Sequence, residues 1–157
     1  MARIIVMFAL ICAWQTGQAC SCVPTASVDE SFRSSELVLD GTVVAVEDRE
    51  VGLRRAKVWL QELFGYFYVN PEDVGFSVRF KTHEIWKGPE KSEVVLFTHK
   101  STATCGYPVR TGERYLVYAH ELESGAYELS LCSRTKERAM GEEDAVALST
   151  LAKSKKF

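Results

Sequence analysis

Hydrophobic and polar residues alternate strictly along residues 76–83, where Phe76, Val78 and Phe80 would face a core and the residues between them would face solvent. A period of two residues is typical of a half-buried β-strand. Four further stretches are rich in β-branched and aromatic residues and are bounded by turn signals such as Gly112. These stretches are residues 37–47, 92–99, 113–120 and 126–132. The pattern therefore predicts five strands.

Two other stretches have the pattern of helices. Ser27 is followed three residues later by Glu30, which is the signature of a capping box and predicts a short helix over residues 28–35. Residues 142–151 begin with acids and are followed by lysines, which suits the helix dipole. The chain should therefore have one short helix before the first strand and another helix at its end.

Five mainly antiparallel strands in a chain of this size favour a small closed or nearly closed barrel such as an OB-fold. A β-sandwich is the alternative, although sandwiches usually need about seven strands. Residues 49–75 do not follow the strand pattern and carry a run of aromatic residues. We interpret them as an insertion that buries its aromatic side chains on the barrel, and an exposed aromatic contact surface is the alternative.

Residues 1–19 have the pattern of a secretory signal peptide, with a short basic start, an unbroken apolar run over residues 4–14 and small residues ending at Ala19. We expect cleavage after Ala19 and a secreted, extracellular protein whose single domain spans residues 20–157. A membrane anchor is the alternative, but the apolar run is far shorter than the roughly 20 residues of a spanning helix. No later stretch is apolar enough to span a membrane, so the mature chain should have no transmembrane segment.

The chain has 157 residues, of which 19 are basic and 21 acidic, with a formal net charge of −2. Removal of residues 1–19 would leave 18 basic and 21 acidic residues, a net charge of −3. This balance argues against nucleic acid as a partner, because that affinity comes from clustered Lys and Arg. The sequence has no nucleophile elbow, phosphate loop or dinucleotide fingerprint, and His83-Glu84 lacks the second histidine of a zinc-protease helix at Lys87. We expect a protein that is not an enzyme and that needs no cofactor.

Five cysteines in the full sequence become four after cleavage, because Cys12 lies in the leader. Four cysteines in an exported domain predict two disulfides. A four-thiolate metal site is the alternative, but the long gap after Cys22 and the absence of a second closely spaced pair disfavour it. Cys20 and Cys22 are too close in the chain to bridge each other readily. Each therefore pairs with Cys105 or Cys132, and two pairings remain open.

A cysteine at the first position of the mature chain has useful metal chemistry. The α-amine of Cys20 would have a reference pKa of about 7.7–8.0, so that a fraction of it is neutral near physiological pH. This amine and the Cys20 carbonyl oxygen can hold one metal ion in a five-membered chelate. A catalytic zinc ion with three protein ligands keeps an open position for such a group. Bacterial lipidation of Cys20 would block the amine. A lipidation site requires a larger apolar residue three positions before the cysteine, where this chain has Gly17.

Several motifs resemble the N-terminal, inhibitory domain of the tissue inhibitors of metalloproteinases, within the netrin-like (NTR) module superfamily. The first is Cys20-Ser21-Cys22-Val23-Pro24, directly after a signal peptide. The others follow in the family's order: Phe32 with Ser35-Glu36-Leu37-Val38, Lys87-Gly88, Cys105-Gly106-Tyr107 and Leu131-Cys132-Ser133. Together these motifs span most of residues 20–133.

The resemblance implies an OB-like barrel and the disulfide pairs Cys20–Cys105 and Cys22–Cys132. It also implies that the amine and carbonyl of Cys20 bind the zinc ion of a target metalloendopeptidase and that Ser21 enters its specificity pocket. Further contacts with the protease catalytic domain would come from Cys22, Val23 and Pro24 and from Thr102, Ala103 and Thr104. The implied function is a secreted inhibitor of zinc metalloendopeptidases, for which we expect a monomer.

Three features depart from the family's pattern. The family's inhibitory domain usually has a third disulfide, with a cysteine where this chain has Arg33. Its separate C-terminal domain is missing, since only a predicted helix and a basic tail follow Cys132. The insertion over residues 49–75 is longer and more aromatic than the family's first hairpin. Secreted netrin-like modules without inhibitory activity share the cysteine pattern, so a non-inhibitory extracellular protein-binding module is the alternative function.

Overall fold

The computed structural model describes residues 20–22, 26–49 and 74–154, and most of the predicted insertion lies outside these ranges. Within them the chain forms two α-helices and six strands. The helices are α1 (Val28–Ser34) and α2 (Glu142–Ser154), and the strands are β1 (Leu37–Asp48), β2 (Phe76–Lys87), β3 (Glu93–Thr98), β4 (Arg114–Glu121), β5 (Tyr127–Glu128) and β6 (Lys136–Glu137). Short 3-10 helices lie at Thr102–Thr104 and Arg138–Met140.

The first five strands close into a barrel. They pair in the order β1-β2-β3-β5-β4, and β4 pairs again with β1 from Leu37↔Ala119 to Thr42↔Arg114. These pairings are antiparallel except for the short parallel contact between β3 and β5. The prediction of a mainly β, five-stranded OB-like barrel with a helix before it and a helix after it is confirmed. The sandwich alternative is wrong.

The barrel interior is filled by the residues that alternation predicted. Val78 and Phe80 of β2 are fully buried, and Phe76 packs against the same cluster. The Phe80 ring meets the ring of Tyr115 edge to face at 6.4 Å, an arrangement that aromatic pairs favour. The other buried members of this cluster are Leu37, Leu39, Val43, Val94, Leu96, Val117, Ala119 and Leu129.

A second hydrophobic cluster covers one outer face of the barrel. Val38, Leu116 and Tyr118 point away from the interior and pack with residues of both helices and of β2. Their partners are Phe32, Trp86, Ala145 and Leu148. Because β1 and β4 are buried on both faces here, their sequences are continuous apolar runs rather than alternating ones.

The helix α1 begins as its sequence predicts. The Ser27 hydroxyl accepts a hydrogen bond from the Glu30 backbone N–H, and the Glu30 carboxylate accepts one from the Ser27 backbone N–H at 2.9 Å. These two bonds are the capping box, which satisfies N–H groups that have no partner within the helix. The bonds that the Glu30 carboxylate accepts from the Ser27 backbone N–H and the Ser27 hydroxyl lower the pKa of this carboxyl.

The Lys87-Gly88 motif ends the same helix. The Lys87 ammonium donates to the carbonyl oxygens of Phe32 at 3.1 Å, of Arg33 at 3.0 Å and of Ser35. It therefore satisfies carbonyl groups at the C-terminus of α1, where a positive charge is favourable. Gly88 follows with a φ of 109°, a conformation that favours glycine. This motif thus positions α1 against the barrel.

Two buried carboxylates attach the last part of the chain to the barrel. Asp40 of β1, with only 3% of its side chain exposed, accepts two bonds from Arg114 at 2.6 and 2.7 Å and one from Arg138 at 2.9 Å. Asp144 of α2 accepts two bonds from Arg134, at 2.6 and 3.0 Å. Charge-assisted bonds of this kind offset the cost of removing a carboxylate from water. The sequence pattern did not predict either cluster.

The structure differs from the predicted elements near the C-terminus. The strand predicted over residues 126–132 ends at Glu128, because the chain turns where the Ser133 N–H donates to the Ser130 carbonyl at 3.1 Å. The final helix continues to Ser154, and β6 and both 3-10 helices were not predicted. Across the described ranges, no helix has the length and apolar character needed to cross a membrane.

Candidate functional site

Two segments that are distant in sequence lie side by side in the structure. We call Cys20–Cys22 the tip and Ser101–Cys105 the ridge. The Cys20 backbone nitrogen donates a hydrogen bond to the Ala103 carbonyl oxygen at 3.0 Å. The tip therefore contacts the ridge directly, and six of the predicted contact residues are brought together. The other two, Val23 and Pro24, lie outside the described residues.

Two disulfides hold the tip in this position. Cys20 is bonded to Cys105 of the ridge and Cys22 to Cys132, with Cα separations of 5.1 and 5.0 Å. This is the pairing that the family resemblance implies, and it decides between the two pairings that the sequence left open. The bridges join residues that are 85 and 110 positions apart in the chain. Bridges that close long loops remove much conformational freedom from the unfolded chain.

The ridge is stabilised by bonds to one residue, Ser101. Its side-chain oxygen accepts a bond from the Ala103 backbone N–H at 3.0 Å, as an N-cap does. Its carbonyl oxygen accepts bonds from the backbone N–H groups of Thr104 at 3.0 Å and Gly106 at 2.9 Å, and from the Thr104 hydroxyl at 2.9 Å. Ser101 therefore positions the Ala103 carbonyl that the tip contacts.

The Cys105-Gly106-Tyr107 motif fixes where the ridge ends. Cys105 has a φ of 62°, which is uncommon for a residue other than glycine. A Cβ atom on Gly106 would lie 2.0 Å from the His99 carbonyl oxygen, so the close backbone approach requires glycine. Tyr107 packs against the barrel core with its ring 6.0 Å from that of Tyr115, and burial raises its pKa to about 12. The motif is therefore explained by packing.

The surface formed by tip and ridge is uncharged and made of small residues. Its eight residues are cysteine, serine, threonine and alanine, and none has a side chain larger than threonine. Ser21, Cys22 and residues 101–104 are exposed, while Cys20 and Cys105 are half-buried. Such a surface loses little side-chain freedom and desolvates no charge when it binds a partner. It is suited to insertion into a narrow cleft.

A cleft of about 370 Å³ is lined in part by Ser21 and Cys22 of the tip, and several of its other polar side chains bond within the protein. The Ser31 hydroxyl donates to the Ala26 carbonyl at 3.4 Å, and the Ser34 hydroxyl donates to the Ser31 carbonyl at 3.3 Å. Arg134 is held by Asp144, as described above. These bonds stabilise the walls of the cleft.

One group of cysteine, histidine and acidic side chains within the described residues has ligand atoms close enough to share a metal ion. It consists of Cys20, Cys105 and Cys132, whose atoms lie within 4.8 Å of one another. In this structure the three sulfur atoms take part in disulfides. Arg33, at the position of the family's third disulfide, is exposed and pairs with Asp29 at 2.9 Å.

Sequence reasoning missed the two features that orient the tip. The Ala103 carbonyl that binds the Cys20 nitrogen is a backbone group, which every residue type carries, so no sequence signal could identify it. The capping role of Ser101 had a weak signal, because serine is a favoured N-cap residue. That signal has meaning only once the short helix Thr102–Thr104 is known.

No protein-family model matches the chain, and no curated protein matches it. The link to metalloproteinase inhibitors therefore depends on the motifs, their order and the arrangement of the residues that they place at the tip and the ridge.

Proposed function

We propose that the chain is a secreted inhibitor of zinc metalloendopeptidases, released by cleavage after Ala19. The tip would enter the active-site cleft of the protease, where the amine and carbonyl of Cys20 chelate the catalytic zinc ion. Ser21 would occupy the specificity pocket beside the zinc. The observation that carries the proposal is the tip, in which Ser21 and Cys22 are exposed and the half-buried Cys20 is bonded to Ala103, with two disulfides holding both ends.

The chemistry of Cys20 suits this role once it is the first residue. A neutral α-amine has two hydrogens and one lone pair. One hydrogen can keep the 3.0 Å bond to the Ala103 carbonyl, which leaves the lone pair available for a metal. A catalytic zinc ion with three protein ligands has a fourth position that water or a ligand fills. The amine and the Cys20 carbonyl oxygen would displace that water together.

The rigidity of the site would contribute to affinity. Each end of the tip is covalently attached, through Cys20 to the ridge and through Cys22 to Cys132. A preorganised segment avoids the entropic cost of ordering when it binds. Thr102, Ala103 and Thr104 lie beside the tip and would contact the rim of the same cleft, together with Cys22, Val23 and Pro24. The partner is thus the catalytic domain of an extracellular zinc endopeptidase, bound by one copy of this chain.

An inhibition titration with one added alanine before Cys20 tests the proposal. The added residue converts the amine into an amide, which has no available lone pair for zinc. The amide keeps one N–H, so the bond to Ala103 and the fold should survive. Loss of one partner of a buried, hydrogen-bonded charge pair at an interface costs about 2–5 kcal/mol, and each 1.4 kcal/mol is a factor of ten. Taking that range for the lost zinc ligand, we expect inhibition to weaken by at least about 30-fold.

The matched control carries the same alanine after Phe157. Peptide mapping of both proteins should find the same two disulfides, Cys20–Cys105 and Cys22–Cys132. Equal inhibition by both extended forms would refute chelation by the Cys20 amine. If the processed protein inhibits no member of a broad panel of zinc endopeptidase domains, the inhibitor proposal fails. The non-inhibitory extracellular binding module would then be the better interpretation.

A further inference from the structure

The four sulfur atoms of the two disulfides form one cluster. Between the bridges, the Cys20 sulfur lies 3.5 Å from that of Cys132 and 4.0 Å from that of Cys22. The sulfurs of Cys105 and Cys132 are also 4.0 Å apart. These separations join atoms of different bridges, so the fold places the two bridges in contact with each other.

The separations match the geometry of a zinc ion bound by thiolates. Zinc in structural sites is tetrahedral with Zn–S distances of about 2.3 Å, which places any two sulfur ligands about 3.8 Å apart. The three distances between the bridges lie within 0.3 Å of that value. The sulfurs of Cys20, Cys105 and Cys132 lie within 4.8 Å of one another, and the Cys22 sulfur, which lies outside this group, would have to move to join them around one ion once the bridges are open.

The proximity of Cys105 and Cys132 does not depend on the disulfides alone. The Leu131 N–H donates to the Cys105 carbonyl at 2.8 Å, and Gly106 forms a β-bridge with Ser130. These backbone bonds hold Cys105 beside Cys132 without help from either bridge. The hydrophobic clusters of the barrel likewise consist of strand and helix residues, none of them a cysteine. We therefore expect the Cys105 and Cys132 thiols to remain neighbours in the reduced chain.

The other two ligands would come from the tip. Cys20 and Cys22 are separated by one residue, and the bond from the Cys20 nitrogen to the Ala103 carbonyl holds Cys20 beside the ridge. The long sequence gap after Cys22 disfavours a metal site when the spacing alone is considered. The fold removes that objection, because it brings Cys105 and Cys132 to within 4.0 Å of each other.

We propose that the reduced chain binds one zinc ion through the thiolates of Cys20, Cys22, Cys105 and Cys132. The zinc form and the disulfide form exclude each other, because each uses the same four sulfurs. Four thiols bind one Zn²⁺ ion with the release of four protons, and no electron is transferred in this step. The site would operate in the chain before its disulfides form, and it does not depend on the proposed inhibitory function.

The test uses the chain 20–157 in its reduced and disulfide-bonded forms. A water-soluble phosphine opens each bridge by giving two electrons to it, and with one water molecule becomes the phosphine oxide while two thiols form. After anaerobic removal of the phosphine, cobalt(II) is added as a spectroscopic probe and then displaced by zinc. We expect one equivalent of metal, with the sulfur-to-cobalt charge-transfer and ligand-field bands of a tetrahedral tetrathiolate site. The disulfide-bonded protein, which has the same other side chains, should show none of these tetrathiolate bands.

Serine substitutions determine whether all four sulfurs are ligands. Cys132→Ser should remove the tetrathiolate spectrum and weaken zinc binding by about 100-fold or more, since loss of even an outer-shell partner costs about 10–100-fold. Near-UV circular dichroism of each reduced protein, with and without zinc, reports whether the barrel is folded. Two results would overturn the proposal: reduced wild-type chain that binds no more metal than the oxidised chain, or metal binding that Cys132→Ser and Cys105→Ser leave unchanged. The second result would assign the metal to Cys20 and Cys22 alone.

Discussion

Replacement of Gly106 by alanine would force apart two segments of backbone that meet at the end of the ridge. The new Cβ atom would lie 2.0 Å from the His99 carbonyl oxygen, 2.6 Å from the His99 carbonyl carbon and 3.0 Å from the Ser101 carbonyl oxygen. Ordinary contact begins near 3.4 Å. All three neighbours are backbone atoms, which cannot rotate aside as a side chain could. The φ of Gly106 is not positive, so the destabilisation would come from the lack of space and not from backbone strain.

The expected loss of stability follows from the bonds that this movement would break. The Gly106 N–H donates to Ser101 at 2.9 Å, and the Tyr107 N–H donates to the Thr98 hydroxyl at 2.8 Å. A hydrogen bond of this kind contributes about 1 kcal/mol, and overpacking a close-packed site costs about 1–3 kcal/mol. We therefore expect Gly106→Ala to lower the free energy of unfolding by about 3–5 kcal/mol, against a total of about 5–15 kcal/mol for a small domain.

Urea unfolding, followed by tryptophan fluorescence, measures this change, and Gly112→Ala is the matched control. Gly112 has a φ of 88°, and a Cβ atom there would meet nothing within 4 Å. Its replacement should cost only the backbone strain of a left-handed residue, about 1–2 kcal/mol. Equal losses in the two variants would refute the argument that backbone crowding at Gly106 determines the shape of the ridge.

Two further predictions concern the support of the site and of the last helix. Ser101→Ala removes the cap on the Ala103 N–H, which should lower the free energy of unfolding in urea by about 1 kcal/mol and weaken any inhibition by the tip several-fold. Ser101→Thr keeps the hydroxyl and should lose much less. Equal effects of the two substitutions would contradict the capping role. Burial acts to raise the pKa of the Asp144 carboxyl, but the hydrogen bonds and charges of Arg134 and Lys136 outweigh burial and lower that pKa. A carboxyl with a lowered folded-state pKa stabilises the fold above its unfolded pKa, and that stability is lost as the pH falls through the folded value. Asp144→Asn should therefore lower the free energy of unfolding by about 3 kcal/mol near neutral pH. The difference in unfolding free energy from the wild type should shrink below about pH 4. A difference of equal size at both pH values would show that charge pairing is not its cause.

The features that could be predicted from the sequence are those that depend on local interactions. Alternation identified Val78 and Phe80 as inward-facing residues, because side chains of a strand point to opposite faces in turn. The capping box at Ser27 and Glu30 formed as predicted, since both partners lie within one helical turn. The number of main strands, with two flanking helices, was sufficient to indicate a closed barrel.

Features near the C-terminus could not be predicted in the same way, because they depend on distant partners. Strand β6 is only two residues long and exists because Lys136 and Glu137 pair with β4. Asp40 gave no sequence signal that it would be buried, since its partner Arg114 is 74 residues away in the chain. The contribution of such a pair appears only when the tertiary fold excludes water from it.

The candidate site likewise combines features that the sequence predicts with features that only the tertiary structure shows. The sequence by itself determined the chemistry that is available, namely four cysteines after the expected cleavage and a tip and ridge made of small uncharged residues. The tertiary structure alone decided that Cys20 is bonded to Cys105 and Cys22 to Cys132, and that the Cys20 nitrogen contacts Ala103. It also decided that the two disulfides lie against each other. The physical reason is that these contacts close loops of 85 and 110 residues and use a backbone acceptor that every residue carries, so no local pattern encodes them.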